Sequence, residues 1–278
     1  MINEEYKEIK DYINLSNVPQ GIDLLCLAHR ILLFDNYGID NRGVIHLGAH
    51  CGEEIPMYTQ LGFHKVIMVE PQLPQFTKLA KYEKEVEECL RKFGELLALD
   101  EKKFGTKIKS LQCAVSSKSG TAKLYTMGNT IWSSILEPEP EIFYKIWQEH
   151  SQSNIKWYQM PYTWLNLLRG LRVKKISEIQ TKTLDELMSE LDNGWQMSDF
   201  SYLHMNIQGS ELMALHGGKQ TLKHLQAIWL ETNIDDRYKR TPLKKEFDIF
   251  LSDFDFVCTM ALKINSVGNV LYIKKELI

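Results

Sequence analysis

The sequence lacks several features that would assign it to a class of protein. Its five cysteines include no C-x-x-C pair, which argues against a disulfide framework and favours reduced thiols in a cytosol-like compartment. The eight histidines and the cysteines show no metal-ligand spacing, so we predict no metal site. A net charge of -3 leaves no global attraction for nucleic acid. The sequence therefore predicts a cytoplasmic protein without a nucleic-acid partner.

Long apolar runs are also missing. The longest one, LLCLAHRILLF, is too short to span a bilayer and contains His29 and Arg30, so it predicts a buried helix. The amino terminus has no basic segment followed by an apolar one, and we expect no secretory signal. We therefore expect no stable membrane insertion. The 278 residues, 44% of them hydrophobic, are sufficient for a sizeable core.

The hydrophobic pattern alternates between strands and helices. Helical spacings separate five short apolar segments that predict strands: GVIHLGA, KVIMVEP, KSLQCAVS, FSYLHMNI and AIWLETN. Two late strands, DFVCTMAL and NVLYIKK, follow with a tight connection between them. This order predicts an α/β fold, with a mostly parallel sheet of about seven strands, helices on both faces and one antiparallel strand. We expect a domain over residues 43–278, preceded by a helical extension over 1–42.

The first predicted strand ends in a glycine-bearing turn, VIHLGAHCGEE. In doubly wound sheets, ligands lie outside the carboxyl ends of the strands, where glycines let backbone N–H groups approach them. Gly48 and Gly52 are the candidate glycines, and Glu70 ends the second strand, where a carboxylate can accept hydrogen bonds from both ribose hydroxyls. Together they predict a nucleoside-bearing cofactor. The G-x-G-x-x-G fingerprint is absent, which disfavours nicotinamide and flavin dinucleotides.

A set of motifs resembles the FkbM family of S-adenosylmethionine-dependent methyltransferases in order and spacing: VIHLGAHCGEE, VIMVEPQLPQFTKL, AVSSKSGTAKLY, SSIL, KTLDEL, NIQGSELMAL and VLYIKK. The similarity covers residues 43–275, apart from insertions near 84–108 and 137–178. The sequence is particularly similar to the bacterial branch of the family, which has a G-A-H turn and a D-I-Q-G-A-E motif. The resemblance implies a class I (Rossmann-like) methyltransferase fold with S-adenosyl-L-methionine as the cofactor. It also implies O-methylation of a hydroxyl on a glycan-type or small-molecule acceptor.

The resemblance further implies where the cofactor lies. Four residues of the first turn would surround its methionine part: Gly48, Ala49, His50 and Gly52. Glu70 would bind the ribose, and the segment after Ala114 would border the adenine. Ser133 and Ser134 would lie near the mouth of the site.

Two asparagines depart from the family pattern. Asn206 stands where the D-I-Q-G motif has its acid, and Asn269 replaces a second acid in the last strand. Asparagine can orient a hydroxyl but cannot take its proton, so another group must act as the base. His204, two residues earlier on the same strand face, and Glu231, at the end of the next strand, are the candidates. A histidine in a buried strand is also a common core residue.

Other residues of this region have two interpretations each. Gln208 and Glu211 either cap the helix that begins near Ser210 or contact the substrate. Cys51 is a small packed residue or a reactive thiol in the turn.

The insertion over 137–178 also has two interpretations. It is rich in aromatic residues (Trp147, Trp157, Tyr158, Tyr162 and Trp164), which form either an acceptor-side lid or the core of a helical subdomain. Its basic run (Arg169, Arg172, Lys174 and Lys175) is either a site for an anionic acceptor or membrane surface, or a solvated helix face.

Three functions follow from these features. An active S-adenosylmethionine-dependent O-methyltransferase is the leading hypothesis. The two asparagines motivate an alternative, a catalytically weakened methyltransferase-fold module that binds the cofactor or acts as a scaffold. A nicotinamide oxidoreductase is disfavoured by the missing fingerprint.

Overall fold

The computed structural model describes residues 29–96, 106–139, 169–192, 194–233, 238–264 and 267–278. Their strands are β1 Gly43–Leu47, β2 Lys65–Val69, β3 Lys107–Leu111, β4 Ala114–Val115, β5 Gly120–Met127, β6 Val173–Lys182, β7 Tyr202–Met205, β8 Ala227–Asn233, β9 Phe256–Ile264 and β10 Val267–Lys274. Their α-helices are α1 Ile55–Gln60, α2 Leu73–Leu96, α3 Leu184–Ser189, α4 Glu211–His216 and α5 Lys244–Ser252.

Seven strands form the main sheet in the order β3-β2-β1-β7-β8-β10-β9. Strand β10 runs antiparallel to both of its neighbours, and the pairs among β3, β2, β1, β7 and β8 are parallel. The mostly parallel seven-stranded sheet with one antiparallel strand is therefore confirmed. The chain moves outward in opposite directions from β1 and from β7. The crevice between their carboxyl ends is thus the place where such sheets bind ligands.

Both faces of the main sheet are covered because side chains alternate along its strands. Ile45 and Leu47 of β1 join a core cluster with residues of α3, α4 and α5. Val44 joins a second cluster with residues of α1 and with Leu32 and Leu33 of a π-helical segment, Arg30–Asp35. Every residue of β1 is buried, as expected for a central parallel strand.

A second sheet, β4-β6-β5, was not expected from the sequence. KSLQCAVS, predicted as one strand, contributes β3 to the main sheet and β4 to the second one. Strand β6 pairs antiparallel with β5 and parallel with β4. Lys174 and Lys175 therefore lie on a strand, and the prediction of a helix face for this part of the basic run is wrong. The conformation of β6 depends on its pairing with β5. The residue pattern within β6 alone cannot predict this pairing.

The expected amino-terminal extension is described only from residue 29 onwards. The aromatic residues of the predicted insertion (Trp147, Trp157, Tyr158, Tyr162 and Trp164) lie outside the described residues. None of the helices in the described segments combines the length and the apolar composition of a membrane-spanning helix.

Candidate functional site

The turn after β1 has an unusual backbone. Gly48 and Gly52 have φ angles of 85° and 88°, and His50, between them, has a φ of 46°. The backbone N–H groups of Gly48 and Ala49 both donate to the carbonyl oxygen of Val69, at 2.9 and 3.0 Å. These bonds hold the turn against the end of β2. The positive φ angles explain the requirement for glycine at two of the three positions.

Glu70 is buried at the carboxyl end of β2 and is held by the neighbouring backbone. Its Oε2 accepts the His50 N–H at 2.9 Å, and its Oε1 accepts the Gln72 N–H at 2.8 Å. Burial raises the pKa of Glu70, and these hydrogen bonds oppose that shift. A carboxylate can accept about four hydrogen bonds, so each oxygen retains room for one more donor, such as a ribose hydroxyl.

A cavity of about 310 Å³ opens at this edge of the sheet. It brings together several residues that the sequence singled out: Gly48, His50, Glu70, Ala114, Ser133, Ser134 and Asn206. Two predicted cofactor residues are not among its lining residues. Ala49 is fully buried in the core, and Gly52 packs closely against Leu79. These two residues pack on the core side of the turn, away from the cavity.

Apolar and polar groups share the cavity wall. Leu47, Val69, Val115, Leu124, Ile131 and Ile135 provide apolar surface. Gln72, which the sequence analysis did not single out, donates through Nε2 to the Thr130 carbonyl oxygen at 3.1 Å. Its buried Oε1 has no hydrogen-bond partner in the structure. A buried acceptor of this kind needs a donor, which a ligand or a water can supply.

His50 fixes the rim of the cavity through both ring nitrogens. Nδ1 lies 2.8 Å from Glu53 Oε1, and Nε2 lies 2.9 Å from Thr130 Oγ1. The second oxygen of Glu53 accepts the Cys51 N–H at 3.0 Å. Burial is the main cause that raises the pKa of the Cys51 thiol, which favours the packed interpretation of this cysteine over the reactive one.

Gln208 connects the carboxyl ends of β7 and β8. Its Nε2 donates to Asn206 Oδ1 at 2.6 Å and to Glu231 Oε1 at 3.1 Å. A carboxylate only accepts hydrogen bonds, so the bond to Glu231 must come from the NH₂ group of Gln208. The same NH₂ group donates to Asn206, and the Asn206 atom that accepts is its Oδ1. The Asn206 NH₂ group takes no part in this bond, and Asn206 lines the cavity. Gln208 therefore holds the Asn206 amide and the Glu231 carboxylate close to each other.

Gln208 is itself fixed by its surroundings. Its backbone has a φ of 54°, a conformation that non-glycine residues rarely adopt. Its carbonyl oxygen accepts from Ser134 Oγ at 2.8 Å, and its Oε1 lies 3.2 Å from the Tyr238 hydroxyl. The SSIL segment is thereby joined to the end of β7.

Glu211 is the first residue of α4, and its side chain binds the segment that precedes the helix. Its Oε1 accepts the Ile207 N–H at 3.0 Å. Burial raises the pKa of Glu211 to about 8, with a smaller contribution from Glu231. The side chain is buried and is not among the cavity-lining residues.

Asn269 has a packing role in the structure. Its Oδ1 accepts the indole N–H of Trp229 at 3.2 Å, and its backbone pairs in register with Glu231 across β10 and β8. An asparagine at this position therefore satisfies a tryptophan that is otherwise buried.

His204 belongs to a buried group of rings. Its Nδ1 lies 2.6 Å from the Tyr58 hydroxyl, and its ring stacks on His46 with the centroids 4.4 Å apart. Burial holds the pKa of His204 well below its usual value, and neighbouring His46 and His29 lower it further. Like Glu231, it is not among the described residues that line the cavity. These contacts favour the interpretation of His204 as a core histidine.

Comparison with known proteins identifies a family. The family model described as "Methyltransferase FkbM domain" matches residues 46–258. Among curated proteins, a search found no match to this chain.

Several solved structures are similar to this chain. The N-terminal domain of human METTL16 in complex with SAH is 10% identical to this chain and has a TM-score of 0.42. The alignment covers 92% of this chain and 72% of the METTL16 chain. The magnesium protoporphyrin IX methyltransferase of Synechocystis PCC 6803 with bound SAM is 8% identical, with coverages of 84% and 69% and a TM-score of 0.37. The precorrin-6y C5,15-methyltransferase of Geobacter metallireducens is 11% identical, with coverages of 99% and 97% and a TM-score of 0.37. Similarity at this level bears on neither the cofactor nor the acceptor of this chain.

Proposed function

This chain belongs to the FkbM family of S-adenosylmethionine-dependent methyltransferases, and we propose that it methylates a hydroxyl of a glycan-type or small-molecule acceptor. One observation carries the proposal. The glycine turn after β1 and the carboxylate of Glu70 line a single cavity at the point where the strand order reverses. This is where doubly wound sheets bind nucleoside-bearing ligands.

The residues of the cavity fit S-adenosylmethionine. The free acceptor positions of Glu70 suit two ribose hydroxyls, and the unpartnered Gln72 Oε1 provides another acceptor for a ligand donor. Ala114 and the apolar wall suit the flat adenine ring. The turn at Gly48 and His50 would hold the methionine part, and the absence of a side chain on Gly48 lets this turn lie directly against the Asn206 backbone.

The cofactor, when bound, supplies an activated methyl group on a sulfonium. Transfer then depends mostly on alignment, to which rigid positioning groups contribute. The amide of Asn206, fixed by Gln208, is the orienting group for the acceptor. Glu231 and His204 are the sequence-based candidates for the base. Gln208 holds Glu231 close to Asn206, whereas Tyr58 holds His204 within the core.

A cofactor-binding module with weakened chemistry is the second candidate function. Asn206 favours it, because an amide cannot take the proton of a hydroxyl. Asn269 does not, since its hydrogen bond to Trp229 gives this asparagine a packing role. The acceptor-side cover proposed for residues 137–178 concerns mainly residues outside the described ranges.

Transfer of label tests the proposal. The protein is incubated with S-adenosylmethionine carrying a labelled methyl group and with a panel of glycans, small hydroxylated molecules and cell extracts. Label in an acceptor as an alkali-stable methyl ether supports methylation of a hydroxyl. Transfer only to amines or carboxylates contradicts it. Binding of the cofactor without transfer to any acceptor supports the module with weakened chemistry.

A further inference from the structure

Glu54 is a carboxylate of the cavity wall that ends the VIHLGAHCGEE motif but is not among the sequence-based candidates for the cofactor site or the base. It is the N-cap residue of α1 but makes no capping hydrogen bond with its side chain. The side chain is 27% exposed and lines the same cavity as Gly48 and Asn206. Its Oε2 lies 3.9 Å from His46 Nδ1, beyond hydrogen-bond distance. Glu54 is thus an acid at the cavity with spare acceptor capacity.

Among the described residues, none forms a hydrogen-bonded ion pair with Glu54, and His50 is the one neighbour whose charge lowers its pKa. The pKa of His46 is lowered to about 3 by burial and by His29, so this ring is uncharged. The pKa of the Tyr58 hydroxyl is raised well above its usual value by burial, so it too is uncharged. In the turn, His50 is hydrogen-bonded to Glu53, and the Glu53 carboxylate adds a second negative charge. Burial and, to a lesser degree, Glu53 raise the pKa of Glu54 to about 7.

The rings behind Glu54 are rigidly arranged. The Tyr58 hydroxyl lies 3.1 Å from His46 Nδ1 and 2.6 Å from His204 Nδ1. With one hydroxyl proton, Tyr58 can donate to only one of these nitrogens, so the other must carry its own hydrogen and donate to Tyr58. The stacked imidazoles keep this arrangement. They form a fixed and uncharged wall behind Glu54. Glu53 also lines the cavity, but its two oxygens are already engaged by the His50 ring and the Cys51 N–H, whereas Glu54 retains acceptor capacity.

We propose that Glu54 accepts the proton of the acceptor during methyl transfer. This inference rests on the proposed function, and it selects Glu54 over Glu231 and His204 because only Glu54 lines the cavity. The O–H proton passes to the Glu54 carboxylate, and the O–H electron pair forms the new O–CH₃ bond. The electron pair of the broken C–S bond stays on sulfur. The positive sulfonium and the negative carboxylate are both neutral afterwards, so charge and atoms balance.

This placement has a consequence that needs no acceptor. Ionised Glu54 near the reacting methyl group attracts the positive sulfonium of S-adenosylmethionine but not the neutral sulfur of S-adenosylhomocysteine. The two ligands share their ribose, adenine and amino acid parts. The ratio of their dissociation constants therefore isolates groups near the sulfur, and contributions from Glu70 cancel.

Calorimetry of both ligands at about pH 6 and about pH 8 measures this ratio. For the wild-type protein, we expect the preference for S-adenosylmethionine to grow about threefold or more between the two pH values. In Glu54→Gln the preference should be small and independent of pH, and Glu54→Asp should keep a pH dependence. Glu83→Gln is the matched control. Burial raises the pKa of Glu83 as well, but Glu83 is not among the cavity-lining residues, so this variant should behave as the wild type.

The other outcomes separate the inference from the proposed function. If both ligands bind and Glu54→Gln keeps the wild-type ratio at both pH values, Glu54 is not the proton acceptor and the proposed function stands. Equal weakening of both ligands would place Glu54 at a shared part of the cofactor and overturn the inference. Binding of neither ligand by the wild type overturns both proposals. If Glu54→Gln does not fold, proton release decides: wild-type protein should release protons near pH 7 on binding S-adenosylmethionine only, and equal release with both ligands contradicts the inference.

Discussion

Gly48 lies directly against Asn206: a Cβ atom on Gly48 would stand 1.9 Å from the Asn206 carbonyl oxygen. The Asn206 N–H also donates to the Leu47 carbonyl oxygen at 2.9 Å. The ends of β1 and β7 are therefore in backbone contact at the edge of the cavity. This contact places the glycine turn after β1 beside the Asn206 amide proposed to orient the acceptor.

Replacement of Gly48 tests this contact. Gly48→Ala places a methyl group against backbone and also strains a residue with a φ of 85°, so we expect it to lower the free energy of unfolding by about 3 kcal/mol or more. Gly194→Ala is the control, because Gly194 has a φ of 73° but open space at its Cβ position. It should lose only about 1 kcal/mol. Denaturant titrations measure both values, and equal losses would show that the contact with Asn206 has no energetic effect.

Asn206 distinguishes the two candidate functions. If the enzyme is active, Asn206→Ala should lower turnover by less than the roughly 10²–10⁴-fold loss on removal of the base. Comparison with Glu54→Gln, Glu231→Gln and His204→Gln identifies that base. Asn206→Asp should keep the hydrogen bond with Gln208, because its carboxylate can accept from the same Nε2. A wild-type protein without transfer that becomes active as Asn206→Asp would contradict the active account and support the weakened module.

Glu211 should make the stability of the protein depend on pH. Its pKa is about 8 in the folded protein, above its ordinary value of 4.5, so the folded state holds a proton that the unfolded state releases. This stabilisation is complete at pH values below 4.5, the ordinary pKa, and it disappears as the pH rises through the folded-state pKa of about 8. We expect it to account for about 2–4 kcal/mol of unfolding free energy between about pH 5 and about pH 9.

The variant Glu211→Gln isolates this contribution. It should remove that part of the pH dependence. The free energy of unfolding of the variant should therefore increase relative to that of the wild type as the pH rises. The exposed Glu178 offers a control, and Glu178→Gln should leave the profile unchanged. Parallel profiles for Glu211→Gln and the wild type would show that Glu211 titrates equally in both states.

The main sheet could be predicted because its strands are marked locally. Apolar and β-branched residues fill β1 and β2, and glycines or acids end them at Gly48 and Glu70. Helical spacing between the strands implied parallel connections, and the tight link between β9 and β10 indicated the antiparallel strand. The cavity edge followed from this topology, since carboxyl ends of parallel strands meet at one edge.

The second sheet and the proton-accepting side of the cavity depend on contacts between distant residues. Strand β6 pairs with β5 across the insertion, and neither strand specifies its partner locally. The sequence makes His204 a candidate base because it lies two residues before Asn206 on the same strand face. Only the fold shows Tyr58, 146 positions away, bonded to its ring. The sequence does not distinguish Glu54 from any other acid at the start of a helix. The burial of Glu54 and its uncharged neighbour His46 depend on the fold.

Binding of S-adenosylhomocysteine through Glu70 tests the central claim most directly. Glu70→Ala removes two observed backbone contacts and would remove the proposed charge-assisted bonds to the ribose. Calorimetry should therefore show a loss of about 1.5–3 kcal/mol, or roughly 10- to 150-fold in affinity. Glu83→Ala is the matched control, since Glu83 also accepts a backbone N–H, from Ser110 at 3.0 Å, but is not among the cavity-lining residues. It should bind as the wild type does. Unchanged affinity in Glu70→Ala, or a wild-type protein that does not bind the ligand, would contradict the account.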